Sequence, residues 1–478
     1  MTTPMSGRST GTEFEFLDRD QFKRLADLVL NLSKGEHTCL ALYDASGGTT
    51  RFANNQVIQH VNSRRITLAV TVAFGRRHGT ATATDFGEEA VRDMVARAER
   101  IARVSPEDPE YLPPLPPQTY DTRPRVREET IAAGPHQRVA LVTQAVDLCR
   151  LEGMTAAGIV SSSVTAVGLA ADTGLFAYEP RTEAKFSLTA TAADSSGWTA
   201  NVHRSIEHLG VVERTRLAIE KAKRSANPRE IEPGHYPVIL EPSALAGLIG
   251  PMLWELDAKS YYKHTSPFEG KLEERIFDRR LSLFNTPDHD DLTGNGFNHE
   301  GLPSKEAAWI ENGVLKSLRY DRFTAQERHV DPTPSFDSPY LSGTPLGRDL
   351  TAKEAAGADT GLTKTPGAGA AGAVSQSLDE LIAGTERGIL VSNFWYIRTV
   401  NPTDLTLTGM TRDGTFLIEN GRLSTGLVNF RWHDSPLRAL AQVDGFTAPA
   451  DAVSNENWKM LLPAVKLPDF HFSSVTRF

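Results

Sequence analysis

Between Ile66 and Phe74 the chain alternates without a break. Ile66, Leu68, Val70, Val72 and Phe74 interleave with Thr67, Ala69, Thr71 and Ala73. A period of two over nine residues fits a strand with one buried face, whereas a helix repeats its apolar positions every three or four residues. The fold must therefore centre on a sheet and supply cover for its apolar side. Shorter strands are expected around Cys39–Tyr43 and Gln56–Val61, which places Arg64-Arg65 and Arg76-Arg77-His78 at the solvated ends of the long strand. Cover comes from helical patterns. Phe22, Leu25, Leu28, Val29 and Leu32 recur at helical spacing over 20–33. Asp85 with Glu88 three residues on reads as a cap for a helix carrying Val91, Val95, Ala98 and Ile101. Two more helices are expected over 136–151 and 211–224.

Six prolines from Pro106 to Pro117 exclude a helix or a central strand there, leaving an extended connector. The Thr-, Val- and Ala-rich stretch from Ala156 to Val202, interrupted by Gly168, Gly174 and Gly197, reads as a strand meander. A polar joint runs from Ser225-Ala226-Asn227-Pro228 to Pro233-Gly234. Beyond it, a strand over Tyr236–Leu240 precedes an apolar helix over 243–261 with Leu245, Leu248, Ile249, Met252, Leu253 and Leu256 on one face. Asn312-Gly313 and Asn420-Gly421 sit between apolar pairs and favour type I′ hairpins, because both residues take positive φ at low cost. The Gly- and Ala-rich segment 356–377 reads as a flexible loop, and strands follow from Ile389 to Trp432 before a short helix near Pro436–Leu440. At 478 residues two domains are expected, and the polar joint places their boundary near residue 228.

The net charge of −9 and the scatter of Lys and Arg argue against a nucleic-acid footprint or an anionic membrane surface. There is no apolar core for a signal peptide in Met1–Phe16 and no 18-residue apolar stretch, so a soluble, cytoplasmic protein is expected. Cys39 and Cys149, the only cysteines, read as small buried hydrophobes in a reducing compartment and exclude an all-cysteine zinc site.

A zincin-type metallopeptidase helix needs two imidazoles on one face with a glutamate beside the first, so that zinc and general base share one water. His299-Glu300 lacks a second histidine downstream, and Gly301 and Pro303 break any helix. Asp288-His289-Asp290-Asp291, between Pro287 and Gly294, reads as an exposed acidic turn. No Gly-x-Ser-x-Gly elbow or Walker loop occurs, and Gly367–Gly372 lacks the preceding strand that phosphate binding requires. Phe394-Trp395-Tyr396 with Arg398 suits either a groove wall or a strand core. His433-Asp434 suits either a base with its orienting carboxylate or a turn.

Several segments in series resemble the TldD/PmbA family. In the first half these are Arg51-Phe52-Ala53-Asn54-Asn55-Gln56-Val57 and the strand Leu68–Val72. In the second half they are Ser266-Pro267-Phe268-Glu269-Gly270-Lys271-Leu272, Glu300-Gly301-Leu302-Pro303-Ser304 and Trp309–Leu315. Thr385-Glu386-Arg387-Gly388-Ile389-Leu390-Val391 with Phe394-Trp395-Tyr396, and then Leu407–Gly414, complete the series. The resemblance implies an α+β protein of two domains, an N-terminal mixed α/β domain with a sheet and flanking helices over residues 1–228 and a C-terminal β-rich metallopeptidase-like domain over residues 229–478, and proteolysis of peptides or unfolded segments in the cytoplasm by a dimer of related subunits. In the catalytic subunit of such a family a His-Glu-x-x-x-His helix precedes the Ser-x-Phe-x-Gly segment. Counting back from Ser266 places the two imidazole positions near Ile249 and Trp254, which offer no lone pair to a metal. The chain thus resembles the PmbA (TldE) branch, which implies no catalytic residues and no metal ligands on this chain, and zinc on a TldD-like partner.

Two expectations follow. The first is a zinc-free subunit of a heterodimeric metallopeptidase, inactive alone, with Asn393, Trp395 and Arg398 near a peptide groove formed by strand addition. The second is a homodimeric scaffold or a natural-product-processing protein that reuses the fold. A metal-free hydrolase built on His299-Glu300 or His433-Asp434 is a third, with no evident nucleophile.

Overall fold

The computed structural model describes residues 14–121, 123–334, 336–343, 375–454 and 458–476. Nearly all of the Gly- and Ala-rich segment 356–377, including Gly367–Gly372, lies outside the described residues, as does most of Met1–Phe16.

The first half is one antiparallel sheet of six strands in the order β3-β2-β1-β4-β5-β6. They are β1 (His37–Ala53), β2 (Gln56–Phe74), β3 (Arg77–Ala83), β4 (Thr155–Ala171), β5 (Phe176–Thr191) and β6 (Ser196–His203). The alternation at Ile66–Phe74 is the far end of β2. The stretches 56–61 and 66–74, read separately from the sequence, are one strand of 19 residues. What fuses them is Arg64, which is no strand end. Its guanidinium grips the buried Asp44 carboxylate on β1 through Nε (3.0 Å) and Nη2 (2.8 Å), so the charged stretch stays in the ladder. Asn54 and Asn55, with φ of 51° and 60°, close the β1–β2 hairpin.

Helices α1 (Arg19–Leu32), α2 (Glu88–Val104), α4 (Pro135–Leu151) and α5 (Val211–Arg224), with the single turn α3 (Glu128–Ile131) between them, lie against this sheet. Phe22, Leu25, Val29, Val91, Met94 and Val95 pack on Leu40, Leu42, Leu68 and Val70. The close fit needs small residues on the sheet: a Cβ at Gly168 would stand 2.5 Å from the Phe22 ring. Asp85 does not cap α2. Its carboxylate turns back onto the Gly87 amide (2.9 Å), and the helix starts after Gly87 with no side-chain cap. Cys149 is buried as expected, and Cys39 is half-buried; burial pushes both thiols up to about 11.

The chain leaves this sheet after α5, and its next strand, β7 (Gly234–Leu240), enters a nine-stranded sheet. Two sheets make up the second half. One joins β8 (Ser282–Asn285), β9 (Ala307–Glu311), β10 (Val314–Leu315), β11 (Pro339–Ser342), β19 (Ala450–Ser454) and β20 (Trp458–Leu462). The other runs from β13 (Phe394–Asn401) at one edge through β14 (Thr406–Thr411), β17 (Phe430–Asp434), β21 (Val465–Val475), β7 and β12 (Arg387–Val391) to β15 (Thr415–Glu419) and β16 (Arg422–Gly426), with the two-residue β18 (Gly445–Phe446) pairing on β21 as the ninth. Both Asn-Gly pairs form the expected turns, with positive φ at Asn312, Gly313, Asn420 and Gly421.

Helix α6 (Pro242–Trp254) lies against strands of both sheets, β19 and β20 on one side and β7 and β13 on the other. Every residue from Ala244 to Gly250 is buried, so the helix is apolar all round rather than on one face. It is also shorter than the 243–261 expected. Pro251 removes one helical N–H, the helix ends at Trp254, and Asp257 caps a separate turn, α7 (Ala258–Tyr262), by accepting from the Ser260 amide (2.9 Å).

Buried polar contacts fasten the halves together. Arg125 donates to the Pro287 and Gly294 carbonyls (2.9 and 3.1 Å) and pairs with Glu179 (2.9 Å). Lys459, 1% exposed, reaches Asn201 and Asp451 (2.6 Å each), and Asp451 also pairs with Arg214.

Within the second half, Arg280 hydrogen-bonds both oxygens of Asp278 (2.9 Å each) and holds that carboxyl at about 2, below its usual 3.8. A carboxylate depressed in the folded chain stabilises it above its unfolded pKa and loses that contribution as pH falls through the folded value. Thermal melts of the wild type should therefore lose stability between about pH 4 and pH 2 that Asp278→Asn does not lose in that window. Parallel curves for the two proteins would refute the coupling.

Candidate functional site

A cleft of about 840 Å³ opens between the helix-free face of the first sheet and the loops of the second half. Ala41, Val167 and Leu169 floor it from β1 and β4, and Trp254, Tyr320, Phe336 and Trp458 wall it. This volume lies in the range of small-ligand and peptide sites, which are mostly apolar with a few fixed polar groups.

Each wall residue is set by local structure. Trp254 is the last residue of α6 and is 63% exposed, and its ring stands 6.0 Å from that of Trp458. The Arg319 guanidinium lies 5.9 Å from the Trp254 ring and 3.6 Å from Asp257. Tyr320 shares a hydrogen bond with Tyr262 (3.1 Å), and burial raises its phenol well above the usual range. The Trp458 indole donates to the Asp337 carbonyl (3.0 Å).

His299 and Glu300 are at the cleft, held in a turn by Asn298, whose Oδ1 accepts the Glu300 and Leu302 amides (3.0 and 2.9 Å). Burial raises the Glu300 carboxyl, and the same cause raises Asp337, which the Asn295 amide partly offsets. Among the described residues the lining contains no Ser or Cys, and the hydroxyl of Thr333 is held by the Leu318 carbonyl (3.0 Å).

The two helix positions singled out from sequence diverge. Ile249 is fully buried in the core, whereas Trp254 projects into the cleft. Ile249, Gly250 and Trp254 present an alkyl chain, no side chain and an indole N–H donor, so the residues present do not fit a zinc ion. Among the described residues no group of three or more His, Cys, Asp or Glu side chains converges as a metal site. Asp288-His289-Asp290-Asp291 lies in a turn.

Asn393, Trp395 and Arg398 lie elsewhere, at β13, the edge strand of the large sheet. Trp395 is 41% exposed under the Arg412 guanidinium (4.9 Å), and Arg398 covers Tyr396 (4.2 Å). None of the three lines the cleft. Phe394 and Ile397 from the same strand turn inward against Gly247 of α6. His433 and Asp434 are not a pair: the buried Asp434 accepts from Arg438 (2.8 Å) and from the His471 amide (3.2 Å).

With the site described, sequence comparison is decisive. The sequence model of the PmbA/TldA metallopeptidase C-terminal domain matches residues 233–474, half of the chain, and that of the family's domain 1 matches residues 40–102. The chain belongs to this family. A protein named metalloprotease from Methanothermobacter thermautotrophicus is 26% identical over 192 residues, 37% of this chain and 42% of the relative. An uncharacterized protein from Methanocaldococcus jannaschii is 31% identical over 107 residues, 22% of this chain and 25% of the relative. The chain thus spans less than half the length of these curated relatives. Among solved structures, TldE from Thermococcus kodakarensis superposes with a TM-score of 0.81 at 18% identity, covering 95% of this chain and all of that one. A protein from Thermotoga maritima described as a candidate modulator of a DNA gyrase gives 0.78 at 18% identity, covering 94% and 99%. These two establish the family's fold from end to end.

The opposite fates of Ile249 and Trp254 are measurable. Ile249→Ala should cost about 2–5 kcal/mol in denaturant unfolding, because it hollows a packed core. Trp254→Ala should cost under about 1 kcal/mol, since its ring is largely in solvent. Equal losses would contradict these placements.

Proposed function

We propose that this chain is the zinc-free subunit of a two-subunit metallopeptidase that degrades or matures peptides and unfolded segments in the cytoplasm, with zinc on a TldD-like partner. The reading rests on Ile249, Gly250 and Trp254, the positions that counting back from Ser266 assigns to the donors of a His-Glu-x-x-x-His helix and that offer no metal ligand. A core helix can exchange those donors for apolar groups and gain packing, so losing the metal need not weaken the fold. Ile249 now lies among the aliphatic and aromatic side chains of the largest core. The cleft lies beside it, walled by aromatic rings. Among the described residues no helix is long and apolar enough to cross a membrane.

The test has two arms. Purified alone, the protein should hold less than 0.1 equivalent of zinc by elemental analysis (about a tenth) and release no product from fluorogenic or unfolded protein substrates. Co-expressed with a His-Glu-x-x-x-His relative from the same organism, it should co-purify with that relative, and peptidase activity should appear. Tight stoichiometric zinc on the isolated chain, or hydrolysis by it, would overturn the proposal.

A further inference from the structure

Arg319 lines the cleft with its side chain one-third exposed (33%). A guanidinium carries five N–H donors in a rigid fork, yet among the described residues this one donates no hydrogen bond. It stands 3.6 Å from the Asp257 carboxylate, beyond hydrogen-bonding reach, and 5.9 Å from the Trp254 ring. The aspartates of the lining serve their own loops instead. Asp257 accepts from the Ser260 amide and hydroxyl (2.9 and 2.7 Å), Asp321 from the Thr324 amide (2.6 Å) and Asp337 from the Asn295 amide (3.1 Å).

Beside this fork the Trp254 and Trp458 rings meet at 57°, which makes an angled notch rather than a parallel sandwich. An arginine fork matches a carboxylate through two parallel hydrogen bonds, and an aromatic notch takes a bulky apolar group. A ligand that satisfies both joins a carboxylate to an apolar side chain. Every hydrolysed peptide bond creates a chain end of that kind.

We propose that the cleft seats the C-terminal end of a peptide, with the terminal carboxylate on Arg319 and a bulky apolar last side chain in the notch between Trp254 and Trp458. This inference rests on the peptidase reading above and names the part of the peptide that the zinc-free chain holds. Two observations favour a chain end over a free apolar acid. At about 840 Å³ the cleft has room for several residues. It also carries the Asn298 amide, whose Oδ1 serves its own turn while its Nδ2 donates to no partner among the described residues and can meet a peptide carbonyl.

Fluorescence anisotropy on the full chain tests this with a labelled short peptide ending in phenylalanine. The free acid should bind. The same peptide amidated at its C-terminus, and one ending in glycine, should each bind at least tenfold more weakly. Arg319→Gln should bind acid and amide alike, Arg319→Lys should keep the preference for the acid, and Trp254→Ala should lose the preference for phenylalanine over glycine. A merely structural role would weaken all three peptides together and leave these preferences in place. Should Arg319→Gln fail to fold, the acid–amide comparison on the wild type still decides. Equal binding of acid and amide, or no binding of the acid at millimolar concentration, overturns the proposal. So does N-acetylphenylalanine binding as tightly as the peptide, which assigns the notch to a small apolar acid. If the complex with a zinc-bearing relative cleaves peptides and the isolated chain shows no preference for the acid, this inference fails while the two-subunit reading stands. Hydrolysis by the isolated chain defeats that reading and leaves the binding preference to be judged on its own.

Discussion

The candidate site depends on a buried seam of charge between the two halves. The first sheet supplies the floor of the cleft and the second half its walls, so the cleft exists only while the two are held in register. Lys459 crosses to Asn201 of the first sheet and Asp451 crosses to Arg214 of α5. Arg125 and Arg204 both reach the Gly294 carbonyl from the other direction. Burial lowers the Lys459 pKa and Asp451 opposes it, so the pair is safe only intact. Removing one member of such a pair leaves the other buried without a counter-charge, a loss of about 3–5 kcal/mol. Such contacts specify a single geometry, whereas an apolar interface of the same size would tolerate sliding.

Local patterns were legible in sequence where the local signal and the tertiary demand agree. Helices α1, α4 and α5 and the two Asn-Gly hairpins lie within a residue or two of their sequence-based bounds, because periodicity and turn chemistry are properties of the segment itself. Errors arose where a distant partner decides. Arg64 looks like a strand terminus until Asp44 is known to wait across the ladder. The apolar run to Tyr261 looks like one helix until Pro251 and the Asp257 cap divide it. The cleft was the least legible part. Its walls come from positions 254, 320, 336 and 458, which share no motif and meet only through the fold, whereas the aromatic cluster 393–398 is conspicuous in sequence and lies on an edge strand away from it.

Ile249 and Trp254 show how one helix divides its roles. Ile249 lies within the helix, whereas Trp254 is its last residue, beyond Pro251. One is sealed in the core and the other is delivered to solvent at the helix end, where Arg319 and Trp458 receive it. In a family of metallopeptidases, that arrangement keeps the scaffold around the helix while giving it side chains that cannot ligate zinc.

Helix α6 also constrains how the chain is made. It is apolar on every side, yet β19 and β20, which cover one flank, lie far downstream of it in the chain. On the ribosome α6 emerges long before its shelter, and contacts so distant in sequence form slowly. The second half therefore cannot complete its core until β19 and β20 have been translated, so a nascent chain halted before residue 450 exposes a sticky apolar helix to chaperones and proteases.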